Sequence, residues 1–416
     1  MKQGWEIKRI DDIIESNVIG LTKNSSEQDI HHKFKYVKMN NITRDNRFDL
    51  SKYTCVNAKK EEIEKYSLSE GDFLFNTRNS YELVGKTCLF ERFNNEVILY
   101  NNNIMRIRFL KNINPFFINY AFSTEDLIKK MDRLKSGTTN VSAIYFKDLK
   151  NLELLVPPLP EQQRIVAILD EAFAAIAKAK ANAEQNLKNA KELFESYLQG
   201  VFENNGEGWE EKKLIEVCEL KPQKKEARDK LKETDLVSFL PMEDLGVLNK
   251  EILGVKERQL KDVAGSYTYF ADNDVLMAKI TPCFENGKIG IARNLVNGIG
   301  FGSSEYIVFR TKGEIVPEFL YYFLSRNEIR DEGRKYMSGA VGHKRVSKDW
   351  IENYIIPFPK SLKAQQVIVQ KLDSLSNETK KLEAIYIQKT NDLKELKKSV
   401  LQKAFSGELK TATALV

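Results

Sequence analysis

Nowhere do these 416 residues contain the roughly 18 consecutive apolar side chains that a membrane span needs, and the opening MKQGWEIKRI has no apolar signal core. Both absences predict a cytoplasmic protein that does not enter a membrane. Cys55, Cys88, Cys218 and Cys283 form no CxxC pair, so neither a zinc site nor a disulfide framework is indicated. Four reduced, mostly buried thiols are expected. Histidine is as scarce: His31, His32 and His343 make no cluster with acidic residues at metal-ligand spacing, which argues against nuclease or hydrolase chemistry. There is no GxxxxGK[ST] phosphate loop, no S-adenosylmethionine loop and no Asn/Asp-Pro-Pro-Tyr/Phe segment. GIGFGSS at 298–304 is Gly-rich without GxGxxG spacing and leads into EYIVFR, a strand, so it is read as a hairpin turn. Asp72 and Asp274 follow turns and open strands, where aspartate more often caps than catalyses. The chain is therefore expected to be non-catalytic, with no cofactor or metal of its own.

What is present suits packed domains. Hydrophobic residues make up 42% and charged residues 30%, with a formal net charge of +6. That excess gives only a modest attraction to polyanions. A chain this long exceeds what one hydrophobic core usually serves, so two or more domains are expected.

The domains are copies. PEQQRIVAILD at 160–170 and LKAQQVIVQKLD at 362–373 place Gln162 and Gln365, Leu169 and Leu372, and Asp170 and Asp373 each 203 positions apart. GWEIKRI at 4–10 returns as GWEEKKL at 208–214. Met39 pairs with Met242, Asp72 with Asp274, Gly85-Lys86 with Gly287-Lys288, Pro115 with Pro317, and Ser136-Gly137 with Ser338-Gly339. Offsets that drift only between 202 and 204 indicate one fold used twice with small loop changes. The period is far longer than the 20–50 residues of a solenoid repeat, so each copy is a domain with an appendage.

In each copy DFLFNTR, ILYNNNIMRIRFL, DVLMAKI and EYIVFRT read as strands bounded by Asn, Gly and Asp turns. PFFINYAFSTEDLIKKMDRL and VPEFLYYFLSRNEIRDEGRKY have helical periodicity. The mixture predicts a compact α/β (α+β) domain in each half.

From Pro160 to Phe202 the pattern changes. Apolar positions Ile165, Leu169, Ala172, Ile176, Ala179, Ala183, Leu187, Ala190, Phe194, Tyr197 and Val201 step by 4 and 3, with one extra 4 between Ala179 and Leu187. That is a coiled-coil seam with a stutter. Adding 203 gives the same seam in the second copy, including Ile368, Leu372, Leu382 and Leu393, with Lys397 the one break and Leu396 beside it a possible substitute. A helix of about 42 residues would rise about 63 Å, too long for burial in a flanking domain. The other helix is the expected antiparallel partner; separate partner proteins for each helix are the alternative. The boundaries expected are 1–158 and 204–359 for the two globular domains, 159–203 and 360–407 for the helices, and 408–416 for a tail.

LLVPPLPEQQRIVAILD before a long helix, the GWE opening each half, SG followed by KDL, and LQKAFSGEL near the end resemble the specificity subunit of type I restriction-modification enzymes. The resemblance covers essentially the whole chain; PFPKSLKAQQ in the second copy departs from the usual Pro-Leu-x-Glu-Gln. It implies two target recognition domains that read the halves of a split, asymmetric site in double-stranded DNA, with the helices as a ruler. It further implies docking of two methyltransferase (modification) subunits and a motor-nuclease (restriction) subunit, with S-adenosylmethionine, ATP and Mg on those partners.

Loops rich in Arg, Lys and Asn are the candidate DNA contacts, because Arg pairs with guanine, Asn with adenine, and each can hold phosphate. In the first copy these are Arg44 and Arg47, then Asn76, Arg78 and Asn79, then Lys135, Thr138, Thr139 and Asn140. In the second they are Lys221, Lys224 and Lys225, then Lys279 and Thr281, then His343, Lys344 and Arg345. Taken singly, each loop is more often plain solvated surface. NTRNS and AKITP occupy equivalent places, however, and so do SGTTN and SGAVGHKR, as two readers of different half-sites require. A non-DNA-binding adaptor that scaffolds two copies of a partner is the competing expectation, and a stand-alone modification enzyme is opposed by the missing motifs.

Overall fold

The computed structural model describes residues 4–91, 96–204, 206–252, 255–340 and 342–409. Of the expected tail, residues 410–416 lie outside this set, as does Val341 of SGAVGHKR. The chain divides into two compact units, Met1–Ala183 with Gln388–Val416, and Glu184–Ile387. Each long helix therefore contributes to both.

In the first unit, Glu6–Arg9 pairs antiparallel with Glu153–Val156, so the GWE segment closes onto the strand that precedes the long helix. A four-stranded antiparallel sheet has the order Ile14–Ile19, Ile104–Phe109, Phe73–Asn76, Thr87–Leu89. A second sheet orders Thr54–Val56, Phe34–Val37 and Ile98–Tyr100, the last pair parallel. DFLFN is apolar at consecutive positions because both faces of its strand are covered. Phe73 and Phe75 enter the core shared with the helices, while Leu74 enters the second core with Ile98 and Tyr100. ILYNNNIMRIRFL, read as one strand, is two strands in two different sheets, separated at Asn101–Asn103.

The second unit repeats this plan. Trp209–Lys213 pairs with Ile355–Pro359, and a four-stranded sheet orders Cys218–Leu220, Tyr306–Thr311, Val275–Ala278, Ile289–Ile291. Its other sheet orders Lys256–Gln259, Leu236–Leu240, Ile299–Gly302, Thr268–Ala271. The Gly-rich stretch expected to be a hairpin turn is therefore mostly a strand in the interior of that sheet. Glycine is needed there because a Cβ on Gly300 would lie 2.2 Å from the Phe270 ring and one on Gly302 would lie 2.4 Å from the Leu240 carbonyl oxygen. The helical stretch after each sheet breaks in two. Pro115–Ala121 stops where Thr124 accepts from the Leu127 N–H and caps Glu125–Asp132, and Pro317–Leu324 is followed by Asn327–Lys335.

The long helices span Leu159–Glu203 and Leu362–Phe405. Within the first unit, Ile165, Leu169 and Ile176 share a core with Leu401 and Ala404, and Leu393 packs against it. Arg164 donates to the Leu409 carbonyl and Lys397 lies over the Phe173 ring, so the helices run antiparallel. Within the second unit, Leu198 and Phe202 share a core with Val369 and Leu372, Ile368 packs on it, and Lys191 pairs with Glu383. The direction is again antiparallel. Leu187 is half-buried. Leu382, expected in the seam, is 42% exposed, because away from the globular cores a single neighbouring helix covers only one side. Leu396 does not substitute for Lys397: it is 46% exposed, while Lys397 keeps its seam place by lying over Phe173.

Cys55, Cys88 and Cys218 are buried free thiols and Cys283 is half-buried. Asp72 accepts the Ser69 N–H and two hydrogen bonds from Arg108, while Asp274 accepts the Ala271 N–H and two from Arg310. Both aspartates cap turns, and each buried carboxylate holds an arginine whose side chain stays partly exposed. Among the described residues no helix is long and apolar enough to cross a membrane.

Candidate nucleic-acid interface

At the end of the central strand Phe73–Asn76 the chain continues into Arg78–Asn79, which joins Ser142–Ala143 and Ser136–Gly137 in a small three-stranded sheet. The NTRNS and KSGTTN loops are thus one surface. The Thr77 N–H donates to the Asn103 carbonyl and the Thr77 carbonyl accepts from Ile144, both at 2.9 Å. In the second unit Lys279 takes the same place: its N–H donates to Glu305 and its carbonyl accepts from Val346, again at 2.9 Å. AKITP and GHKR are thereby joined as well, through the bridge between Ile280 and Arg345 and the bond from the Thr281 N–H to the Lys344 carbonyl.

The two hairpins need the same backbone. Gly137 and Gly339 have φ of 118° and 125°, and a Cβ would lie 2.4 Å from the Val141 oxygen and 2.9 Å from the His343 oxygen respectively. Only glycine fits, which explains the repeated Ser-Gly. Beyond it the tips diverge: Thr138, Thr139 and Asn140 are exposed in the first unit, His343, Lys344 and Arg345 in the second. Across the equivalent bridge the cation changes strand. Arg78 faces Ala143 in the first unit, whereas Ile280 faces Arg345 in the second.

Several candidates are engaged inside the fold. Asn76 is completely buried; its amide donates to the Arg78 and Asn103 carbonyls and its oxygen accepts from Asn79, so it shapes the loop and offers nothing to a base. Lys135 donates to the Tyr81 carbonyl at 2.8 Å, pairs with Asp132 and lies over the Tyr81 ring. Its charge is used locally. Arg345 makes two hydrogen bonds to Glu305, at 2.9 and 2.8 Å. With Lys279 and His343 adding to it, that contact holds the Glu305 carboxyl below its ordinary value. Lys279 donates to the Ser304 carbonyl, and Thr281 to Glu285. Arg47, Arg78, Lys225 and Lys344 are exposed, and among the described residues none of them forms an ion pair.

The two remaining basic loops are placed differently from one another. TRDNR approaches the first surface through Arg44, 3.8 Å from Glu82, and is held from behind by Asn46 on Ser123 and Asn119 on the Asn46 carbonyl. Among the described residues, no hydrogen bond or ion pair joins Lys221, Lys224 or Lys225 to the second surface. Lys224 donates to the Gly265 carbonyl, and burial, then Arg228 and Lys221, lower its pKa.

Residue-type reasoning missed the supports of these loops. Lys86 donates to the Met39 and Ile42 carbonyls and Lys288 to those of Met242 and Glu243, each bracing the turn that carries those carbonyls. The repeat spacing pairs the two lysines, but it cannot say what they hold. Among the described residues, no group of three or more His, Cys, Asp or Glu is placed to hold a metal.

The family model for the type I restriction modification DNA specificity domain matches residues 2–188 and again residues 206–391. The chain belongs to this family. Each match ends inside a long helix, so the domain of the specificity family includes part of the helix as well as the globular fold. Among relatives, the EcoAI specificity subunit of Escherichia coli is 35% identical over 52% of this chain but only 36% of its own length, and the EcoEI subunit 34% over 39% and 27%. The chain thus spans about a third of those two relatives. A provisionally named MjaX specificity subunit of Methanocaldococcus jannaschii is 26% identical over 99% of this chain and 95% of its own. In fold, it is similar to a chain solved in work on complex assembly and conformational transition of the type I R-M system, with a TM-score of 0.72, 20% identity and coverage of 98% and 99%. The HsdS subunit from Thermoanaerobacter tengcongensis gives 0.61 at 20% identity and 98% coverage of both chains.

Proposed function

We propose that this specificity-family chain is the non-catalytic DNA-reading subunit of a type I restriction-modification complex in the cytoplasm. Each unit reads one half of a split, asymmetric site, and the paired helices set the unread spacer. Two methyltransferase subunits dock on it and a motor-nuclease subunit joins for cleavage; S-adenosylmethionine, ATP and Mg belong to those partners. One observation carries the reading: the same backbone bridge appears in both units with different exposed side chains on it, Arg78 with Thr138–Asn140 in one and His343 with Lys344 in the other. A shared scaffold with divergent tips is what two half-sites of different sequence require. Lysine and arginine on phosphates add an electrostatic attraction that salt weakens.

Footprinting of the complex with its methyltransferase tests this. Two short protected segments flanking an unprotected gap are expected, with duplex affinity falling steeply as salt rises. One continuous, sequence-independent footprint would overturn the bipartite reading. Failure to bind duplex even at low salt would favour the adaptor.

A further inference from the structure

The repeated phrase at the start of each long helix carries polar contacts that neither the reading loops nor the helix seam use. Gln162 is 1% exposed; its oxygen accepts from the Asn114 N–H, and its amide donates to the Asn112 and Pro157 carbonyls. Gln365, fully buried, accepts from the Val316 N–H and donates to the Glu314 and Pro359 carbonyls. Two turns further along, the Tyr120 hydroxyl donates to Asp170 at 2.5 Å, and the Tyr322 hydroxyl donates to Asp373 at 2.5 Å. Within each unit, then, the domain helix that opens with Pro115 or Pro317 is bonded to the long helix at two levels.

These contacts are directional, whereas the apolar packing around them is not. Two directional anchors, spaced along one face, fix the rotation of a domain about a helix axis in a way that a greasy contact alone does not. Burial, then the neighbouring carboxylate, raises both tyrosine pKa values, so the hydroxyls stay protonated donors at neutral pH. In the second unit Lys250 adds a second donor to the same Asp373 oxygen that Tyr322 uses. The loop equivalent to TRDNR is thereby tied to the long helix. Arg47 stands 203 positions before Lys250, and among the described residues it makes no such ion pair.

We infer that Tyr120 with Asp170 and Tyr322 with Asp373, braced by Gln162 and Gln365, are positioning residues that set the angle between each recognition domain and its helix, and thereby the spacer length the two readers accept. The inference rests on the bipartite function proposed above.

The test uses the full chain with its methyltransferase. Duplexes carry both half-sites at the native spacing, at one base pair more or fewer, or a single half-site. Tyr120→Phe combined with Tyr322→Phe keeps both rings, including the packing of Tyr120 on Phe173, and removes only the donors. Preference for the native spacer is expected to shrink by about 2- to 10-fold per lost hydrogen bond, with single half-site affinity unchanged. Asp170→Asn, which keeps an acceptor oxygen, is expected to behave as wild type. An unchanged spacer preference in the double variant, or a parallel loss of single half-site affinity, overturns the inference. Should the double variant not fold, Tyr120→Phe and Tyr322→Phe singly are read by the same two affinities. A wild type without spacer preference refutes the bipartite reading and this inference with it; a preference kept intact by the phenylalanine variant refutes the inference alone.

Discussion

Asn76 and Arg78 lie two positions apart in one polar stretch, yet one faces the interior and the other the solvent. Asn76→Ala leaves the Arg78 and Asn103 carbonyls without their side-chain donor, so a loss of about 1–3 kcal/mol of stability is expected in denaturant unfolding. Arg78→Ala is expected to leave stability within about 0.5 kcal/mol while weakening duplex binding and lowering the salt slope by about one. The reverse pattern in unfolding and titration curves would show that the two roles have been exchanged. The residue types that suit DNA were legible in the sequence. Which of them point outward was not, because a buried amide and an exposed one differ only in what the rest of the chain brings against them. Arg345 makes the same point: its partner Glu305 is forty positions away, and no local pattern joins them.

Elements were easier to read than side chains wherever a period ran long. The stripe through Ile165, Leu169 and Ile176 is buried in the first helix, and the second is buried at Leu372 and Thr379 near one end and at Leu401 and Ala404 near the other. Short segments were read less well. GIGFGSS contains turn residues but forms a strand, since glycine there makes room for Phe270, and ILYNNNIMRIRFL splits between two sheets. Packing also grades the seam. Leu372→Ala, at a fully buried site, is expected to cost about 2–5 kcal/mol, whereas Leu382→Ala, 42% exposed, should cost far less in the same unfolding experiment. Equal losses would mean that Leu382 is covered in solution.

At the scale of the molecule the duplication is the leading fact, and it holds down to single backbone hydrogen bonds, such as those of Thr77 and Lys279. If the helices act as a ruler, four residues inserted beside Ala183 should alter the preferred spacer or abolish assembly while each half-site stays readable. An unchanged spacer in methylation mapping would count against the ruler. The sequence by itself determined that there are two copies, that each ends in a long helix, and where polar loops recur. These are properties of spacing and period, which survive without coordinates. Only the tertiary structure decided that Asn76, Lys135 and Arg345 are occupied, that two of the three candidate loops of each unit meet on one bridge, and that the repeated glutamine and aspartate bond helix to domain. Those outcomes depend on partners distant in sequence, and a buried polar group is defined by the partner that satisfies it.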